Sequence, residues 1–215
     1  MRYTNLFFDL DDTLYASDNG LWDAIRERMS AFMAKRLGLP LDEIPDLRRS
    51  YFETYGTTLR GLQKHYQVDA EEYLAYVHDL PLESFLKPAP ELRVLLLSLP
   101  QRKWVFTNAD ADHARRVLAV LELSDCFHGI IDVHALGFAC KPEPAAYQTA
   151  LTLAGESQPQ RCVFIDDSPR NLAAAAALGF RTVLVGTNGK PGPVVDVVLP
   201  NLLALPQLMP ELWKE

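Results

Sequence analysis

The sequence predicts an α/β protein, a parallel sheet with an α-helical domain inserted after its first strand. Three observations carry this expectation. Short runs rich in strand-forming residues recur along the chain with helical patterns between them. The runs are almost continuously apolar, as strands covered on both faces must be. The first run is also separated from the second by roughly ninety residues, far more than a crossover connection needs.

The runs are Leu6-Phe7-Phe8, Trp104-Val105-Phe106, Gly129-Ile130-Ile131, Cys162-Val163-Phe164-Ile165, Thr182-Val183-Leu184-Val185 and residues 194–199. Between them, residues 113–121 carry Val117, Leu118 and Leu121 at helical spacing, and residues 144–154 carry Ala146, Ala150 and Leu153. Residues 171–178 are Ala-rich and close at Gly179. Within the long insertion, Leu21, Trp22, Ile25, Met29, Phe32, Met33 and Leu37 follow helical spacing and stop at Gly38. Residues 41–52 and 70–77 also read as helix. The expected organisation is a core of residues 1–15 and 87–215 with a helical cap over 16–86, and Pro88 and Pro90 mark the return to the core. No internal repeat or low-complexity tract interrupts it.

With 48% hydrophobic and 23% charged residues in 215, the chain has the composition of a globular protein, which excludes disordered and collagen-like classes. Lys plus Arg is 21 against 28 for Asp plus Glu, a net charge of -7. That field works against nonspecific binding to nucleic acid or to an anionic membrane, so an anionic ligand has to be captured locally. Cys126, Cys140 and Cys162 are odd in number and have no CxxC spacing, which argues against a disulfide framework or a zinc site and for a reducing, cytoplasmic setting. The apolar stretches at 94–99 and 172–178 are too short to cross a bilayer. Asp9, Asp11 and Asp12 interrupt the N-terminal run too early for a signal peptide.

The chemistry concentrates at strand ends. Asp9 and Asp11 follow the first strand, Thr107-Asn108 the second, Lys141-Pro142-Glu143-Pro144 the third, and Asp166-Asp167-Ser168 the fourth. Ligands of open parallel sheets bind at the carboxyl ends of strands, so these groups converge on one edge. Carboxylates forced together repel unless a hard cation sits among them, and an all-oxygen donor set suits Mg²⁺. A carboxylate nucleophile attacking a phosphate dianion would need that cation and a lysine ammonium to offset like-charge repulsion.

Asp9-Leu10-Asp11-Asp12-Thr13, Val105-Phe106-Thr107, Lys141 and Ile165-Asp166-Asp167, in this order, resemble the four motifs of the haloacid dehalogenase (HAD) superfamily. The resemblance covers essentially the whole chain and implies a Rossmann-like core with an inserted helical cap. It implies that Asp9 is the nucleophile, forming an aspartyl-phosphate and binding Mg²⁺ through its other oxygen. Asp11 would be the general acid and base, its backbone carbonyl a further metal ligand. Asp167 would be the principal ligand of the acidic pair and Asp166 a secondary ligand or water-holder. Thr107, Asn108 and Lys141 would contact the phosphoryl oxygens. Tyr55-Gly56-Thr57-Thr58-Leu59-Arg60-Gly61-Leu62, Val77-His78-Asp79-Leu80-Pro81, Phe106-Thr107-Asn108-Ala109 with His113-Ala114, and Phe164-Ile165-Asp166-Asp167-Ser168 with Asn171 look like the pyrimidine 5'-nucleotidase branch.

That branch implies a Mg²⁺-dependent phosphomonoesterase for nucleoside 5'-monophosphates, pyrimidines preferred, with Arg60 reading the substrate from a loop around Gly56 to Gly61. A phosphatase or phosphomutase for another small phosphorylated metabolite is the alternative, and a catalytically silent binding module is a poorer one. A dehalogenase fits less well, since it needs neither Asp11 nor the Asp166-Asp167 pair. The remaining residues are read as structural: Thr13 bracing the loop through its hydroxyl, Tyr55 packing, and all five histidines, which lack paired metal spacing. Asn171 is read as a supporting group for the acidic pair. Asp12 stands where many relatives carry Gly and has no role on these grounds.

Overall fold

The computed structural model describes residues 2–186 and 194–214. The chain divides into two compact units, one of residues 1–18 and 86–215 and one of residues 19–85.

The first unit holds six parallel strands: β1 (Asn5–Phe8), β2 (Arg102–Phe106), β3 (Gly129–Ile131), β4 (Cys162–Asp166), β5 (Arg181–Val185) and β6 (Val197–Leu199), in the order β3-β2-β1-β4-β5-β6. The first strand is thus central, between β2 and β4, and Phe8 pairs with both Val105 and Ile165. Residue 9 emerges flanked by the ends of two neighbouring strands. The runs read as strands are strands, although the last is shorter than residues 194–199. Asp196 accounts for the difference: its carboxylate accepts from the Thr182 N–H (2.9 Å) and hydroxyl (3.0 Å) and pairs with Arg181 (2.7 Å), so side-chain bonds replace the ladder there.

In chain order the helices of the second unit are α1 (Leu21–Leu37), α2 (Ile44–Tyr55), α3 (Thr58–Tyr66) and α4 (Ala70–His78). The first ends at Gly38 in a left-handed conformation, φ 67°, as its periodicity and glycine predict. Helix α3 is a correction, because the stretch around Gly56 to Gly61 is not a loop. Gly56 closes α2, the Thr57 hydroxyl accepts the Arg60 N–H at 3.3 Å as an N-cap, and Gly61 lies inside the helix. A Cβ on Gly61 would meet the Tyr51 ring at 2.2 Å, so this glycine lets α2 and α3 approach each other.

The first unit adds α5 (Pro90–Ser98), α6 (Ala111–Val120), α7 (Pro144–Leu153), α8 (Pro169–Ala177) and the short α9 (Leu205–Leu208). Helix α5 was not legible, because Val94-Leu95-Leu96-Leu97 is apolar all round and offers no periodic contrast. The structure buries Leu95 and Leu96 and leaves Val94 70% exposed. Below the strand ends, Phe7, Phe106, Tyr147, Phe164 and Phe180 pack edge to face or tilted, with ring centroids 5.4 to 6.5 Å apart. This layer gives the polar residues above it a rigid floor. Among the described residues no helix is long and apolar enough to cross a membrane.

Candidate active site

Asp9 directly follows β1, and its N–H still donates to Ile165 O of β4 at 2.8 Å, so its backbone is held in the sheet while its side chain sits at the strand end. Asp166, the last residue of β4, is its lateral neighbour and is completely buried. Lys141, from the segment before α7, lies between them. Its Nζ donates to Asp9 Oδ1 (2.6 Å), Asp166 Oδ2 (3.0 Å) and Phe106 O (2.8 Å).

An ammonium has three protons, and here each has a protein acceptor. At 2% exposure Lys141 therefore turns all three N–H groups to protein oxygens. Burial by itself would lower its affinity for the proton, but Asp166 and Asp9 more than reverse this and hold the pKa above its ordinary value. Asp9 shows the converse balance: burial, aided by Asp166 and Asp167, raises it well above the usual carboxylate range despite Lys141.

Asp167 completes the cluster, and Asp9, Asp166 and Asp167 each offer a carboxylate oxygen within 4.8 Å of the others. Burial first, then Asp166 and Asp12, push Asp167 up to about 7. Asp166 is the most heavily engaged, accepting from Lys141, from the Ser168 N–H at 2.8 Å and from Asn171 Nδ2 at 3.1 Å on both oxygens. Asp9 and Asp167 are accordingly the carboxylates with oxygen to give to a cation. Asn171 braces the acidic pair as expected.

Two expected contacts are placed differently. Asn108 turns its amide to the Lys141 backbone, accepting its N–H at 2.8 Å and donating to its C=O at 3.0 Å. Its side chain thus anchors the lysine segment instead of pointing at a phosphoryl oxygen, because the two strand-end segments satisfy each other's polar groups. Thr107 is buried, and its Oγ1 accepts the Ala109 N–H at 3.0 Å, which leaves the hydroxyl's own proton to donate. Thr13 does not brace its loop through its hydroxyl: Oγ1 is buried with no hydrogen-bond partner among the described residues, and the backbone bond from Leu14 N to Leu10 O (3.0 Å) holds the turn. Asp12 adopts φ 60°, the left-handed region that Gly enters freely and Asp tolerates, which gives its position a backbone explanation.

Asp11 has partners of its own. Its Oδ1 is 2.5 Å from the Tyr15 hydroxyl and 3.1 Å from His113 Nε2. His113, read as structural with the other four histidines, brings its ring to Asp11 across 102 residues of chain. The signal available was its place in the stretch after Thr107-Asn108. Arg60 belongs to α3 of the second unit, where its guanidinium donates to Tyr55 O at 3.3 Å.

A carboxylate held by a buried lysine, a second acid two residues on and an acidic pair at the end of the adjacent strand bring the acidic and lysine motifs of the sequence into one site. The profile of the haloacid dehalogenase-like hydrolases matches residues 3–179, and the chain belongs to that family. It is 35% identical over 192 residues to phosphate metabolism protein 8 of Saccharomyces cerevisiae, a match covering 83% of this chain and 60% of that protein. Among solved structures it resembles a HAD phosphatase from Thermococcus onnurineus (TM-score 0.65, 20% identity, 95% and 96% of the two chains covered). It also resembles an L-2-haloacid dehalogenase from Xanthobacter autotrophicus (TM-score 0.62, 19% identity, 97% and 99% covered). The fold hosts both chemistries, so the choice between them rests on the site.

Proposed function

We propose that the protein is a Mg²⁺-dependent phosphomonoester hydrolase acting through a phosphorylated Asp9, with nucleoside 5'-monophosphates, pyrimidines preferred, as its substrates. The observation that carries this reading is the buried Lys141 ammonium between Asp9 and Asp166 with Asp167 alongside. Three carboxylates within 4.8 Å of one another favour a metal-dependent reaction over a dehalogenation, which needs no metal.

The donor set fits a hard divalent cation. It is all oxygen, and burial together with the neighbouring carboxylates raises both Asp9 and Asp167 above their ordinary pKa, so a cation beside them would be favoured. Asp9, Asp167 and the Asp11 backbone carbonyl would hold it, with Asp166 close by. Bound there, Mg²⁺ would offset the negative charge of the phosphoryl group and the carboxylates together.

The chain's residues supply the rest. Lys141 holds the Asp9 carboxylate in place through Oδ1, and of its two oxygens one attacks phosphorus while the other faces the cation. As the P–O bond to the leaving group breaks, Asp11 gives its proton to the departing alkoxide. The ionised Asp11 then takes a proton from the water that attacks the phosphorus of the acyl phosphate, releasing inorganic phosphate and restoring Asp9. Thr107 donates its hydroxyl proton to a phosphoryl oxygen. The pyrimidine preference and the part of Arg60 come from the likeness of the inserted segment to nucleotidases. The three buried cysteines, none of them in a disulfide, suit a cytoplasmic reaction on a small soluble metabolite.

The test is a panel of UMP, CMP, AMP, GMP, sugar phosphates and p-nitrophenyl phosphate, each with Mg²⁺ and with EDTA. UMP or CMP should give the highest kcat/KM, and Arg60→Ala should raise KM more for nucleotides than for p-nitrophenyl phosphate. Better turnover of purine nucleotides or sugar phosphates removes the nucleotide assignment and leaves the phosphatase. Hydrolysis of none of them with Mg²⁺ removes both.

A further inference from the structure

Asp11 is held differently from the other acids of the site. A carboxylate oxygen has two lone-pair directions, and both at Oδ1 are engaged, by the Tyr15 hydroxyl at 2.5 Å and by His113 Nε2 at 3.1 Å. An ionised carboxylate can only accept, so Nε2 carries the hydrogen of that second bond. Neither donor is loosely placed. Tyr15 is buried in the same loop as Asp11, and the His113 ring is completely enclosed. The first turn of α6, which carries His113, is anchored by two carboxylates: Asp110 accepts the His113 N–H at 2.8 Å, and Asp132 accepts the Ala111 N–H at 2.9 Å. With Oδ1 occupied from two sides, a proton on Asp11 has only Oδ2 to occupy.

We propose that Tyr15 and His113 are positioning residues that grip Asp11 through Oδ1, so that the proton it delivers and retrieves is always carried on Oδ2. The proposal rests on the reading of Asp11 as the general acid and base. Its consequence is specific. A leaving group that needs protonation depends on where that proton is aimed, whereas an aryl oxide departs with little help. Losing the grip should therefore harm alkyl phosphates selectively. A residue needed only for folding would reduce turnover of both kinds alike.

The experiment measures kcat/KM, which reports transfer to Asp9, for UMP and p-nitrophenyl phosphate in wild type, Tyr15→Phe, His113→Ala and His113→Gln. Both substrates are assayed on one preparation, so any loss of folded protein cancels in their ratio. Tyr15→Phe and His113→Ala should each lower the UMP value about tenfold or more and the aryl value less than about threefold, a part of the ~10²-fold or more that a general acid supplies. His113→Gln, whose amide N–H can replace Nε2–H, should recover most of the loss. In an Asp11→Asn background neither change should alter the ratio further, because there is no proton left to aim. Equal losses on both substrates, or an unchanged ratio in the wild-type background, overturn the proposal while the phosphatase stands. Wild-type protein inactive on both phosphates overturns the phosphatase reading and the proposal with it.

Discussion

Lys141→Met replaces a buried cation by a neutral side chain of similar length and leaves Asp9 and Asp166 facing each other without the ammonium that sits 2.6 and 3.0 Å from them. Breaking a buried ion pair by removing one partner costs about 3–5 kcal/mol. The metal-free variant should thus be about 3–5 kcal/mol less stable than wild type at pH 7 in urea unfolding with EDTA. The sign of the pH dependence follows from the same groups. Carboxylates raised in the folded state bind more protons folded than unfolded, so the deficit is largest near pH 7 and shrinks as pH falls toward 4. Wild type keeps its ammonium throughout, since Asp166 and Asp9 hold Lys141 above its ordinary value in spite of burial. A deficit below about 1 kcal/mol at pH 7, or one that does not change between pH 7 and pH 5, would refute the view that this lysine's charge offsets the carboxylates.

Other variants probe the remaining parts. Asp9→Asn should abolish turnover and the hydroxylamine-sensitive phosphate label that quenched wild type carries; normal turnover excludes Asp9 as nucleophile. Because Asp167 stands at about 7 folded against 3.8 unfolded, the metal-free protein should lose stability as pH rises between those values. Mg²⁺ should then raise Tm more at pH 7 than at pH 5, and equal shifts at both would count against a carboxylate cation site. Asn108→Ala releases the Lys141 backbone and should lower kcat with little change in KM, whereas a direct phosphate contact would raise KM. Gly61→Ala drives a methyl into the Tyr51 ring and should destabilise the protein by about 1–3 kcal/mol, read as a lower urea midpoint.

What the sequence determined by itself is the set of things that local patterns encode. Continuous apolar runs specified the strands, because a strand covered on both faces has no polar side to show. The acids, Thr107 and Lys141 at the strand ends specified the chemistry, because parallel strands bring their carboxyl ends to one edge. Where apolar contrast vanished, as in α5, or where glycines mimicked a loop, as in α3, the pattern misled. The tertiary structure decided the pairings. That Lys141 spends all its protons on Asp9, Asp166 and Phe106, that Asn108 grips the Lys141 backbone, and that His113 closes on Asp11 depend on contacts between residues 25 to 132 positions apart. A hydrogen bond forms or fails over a few tenths of an ångström. That distance is set by how separate elements pack against one another in three dimensions, and no short stretch of sequence carries it.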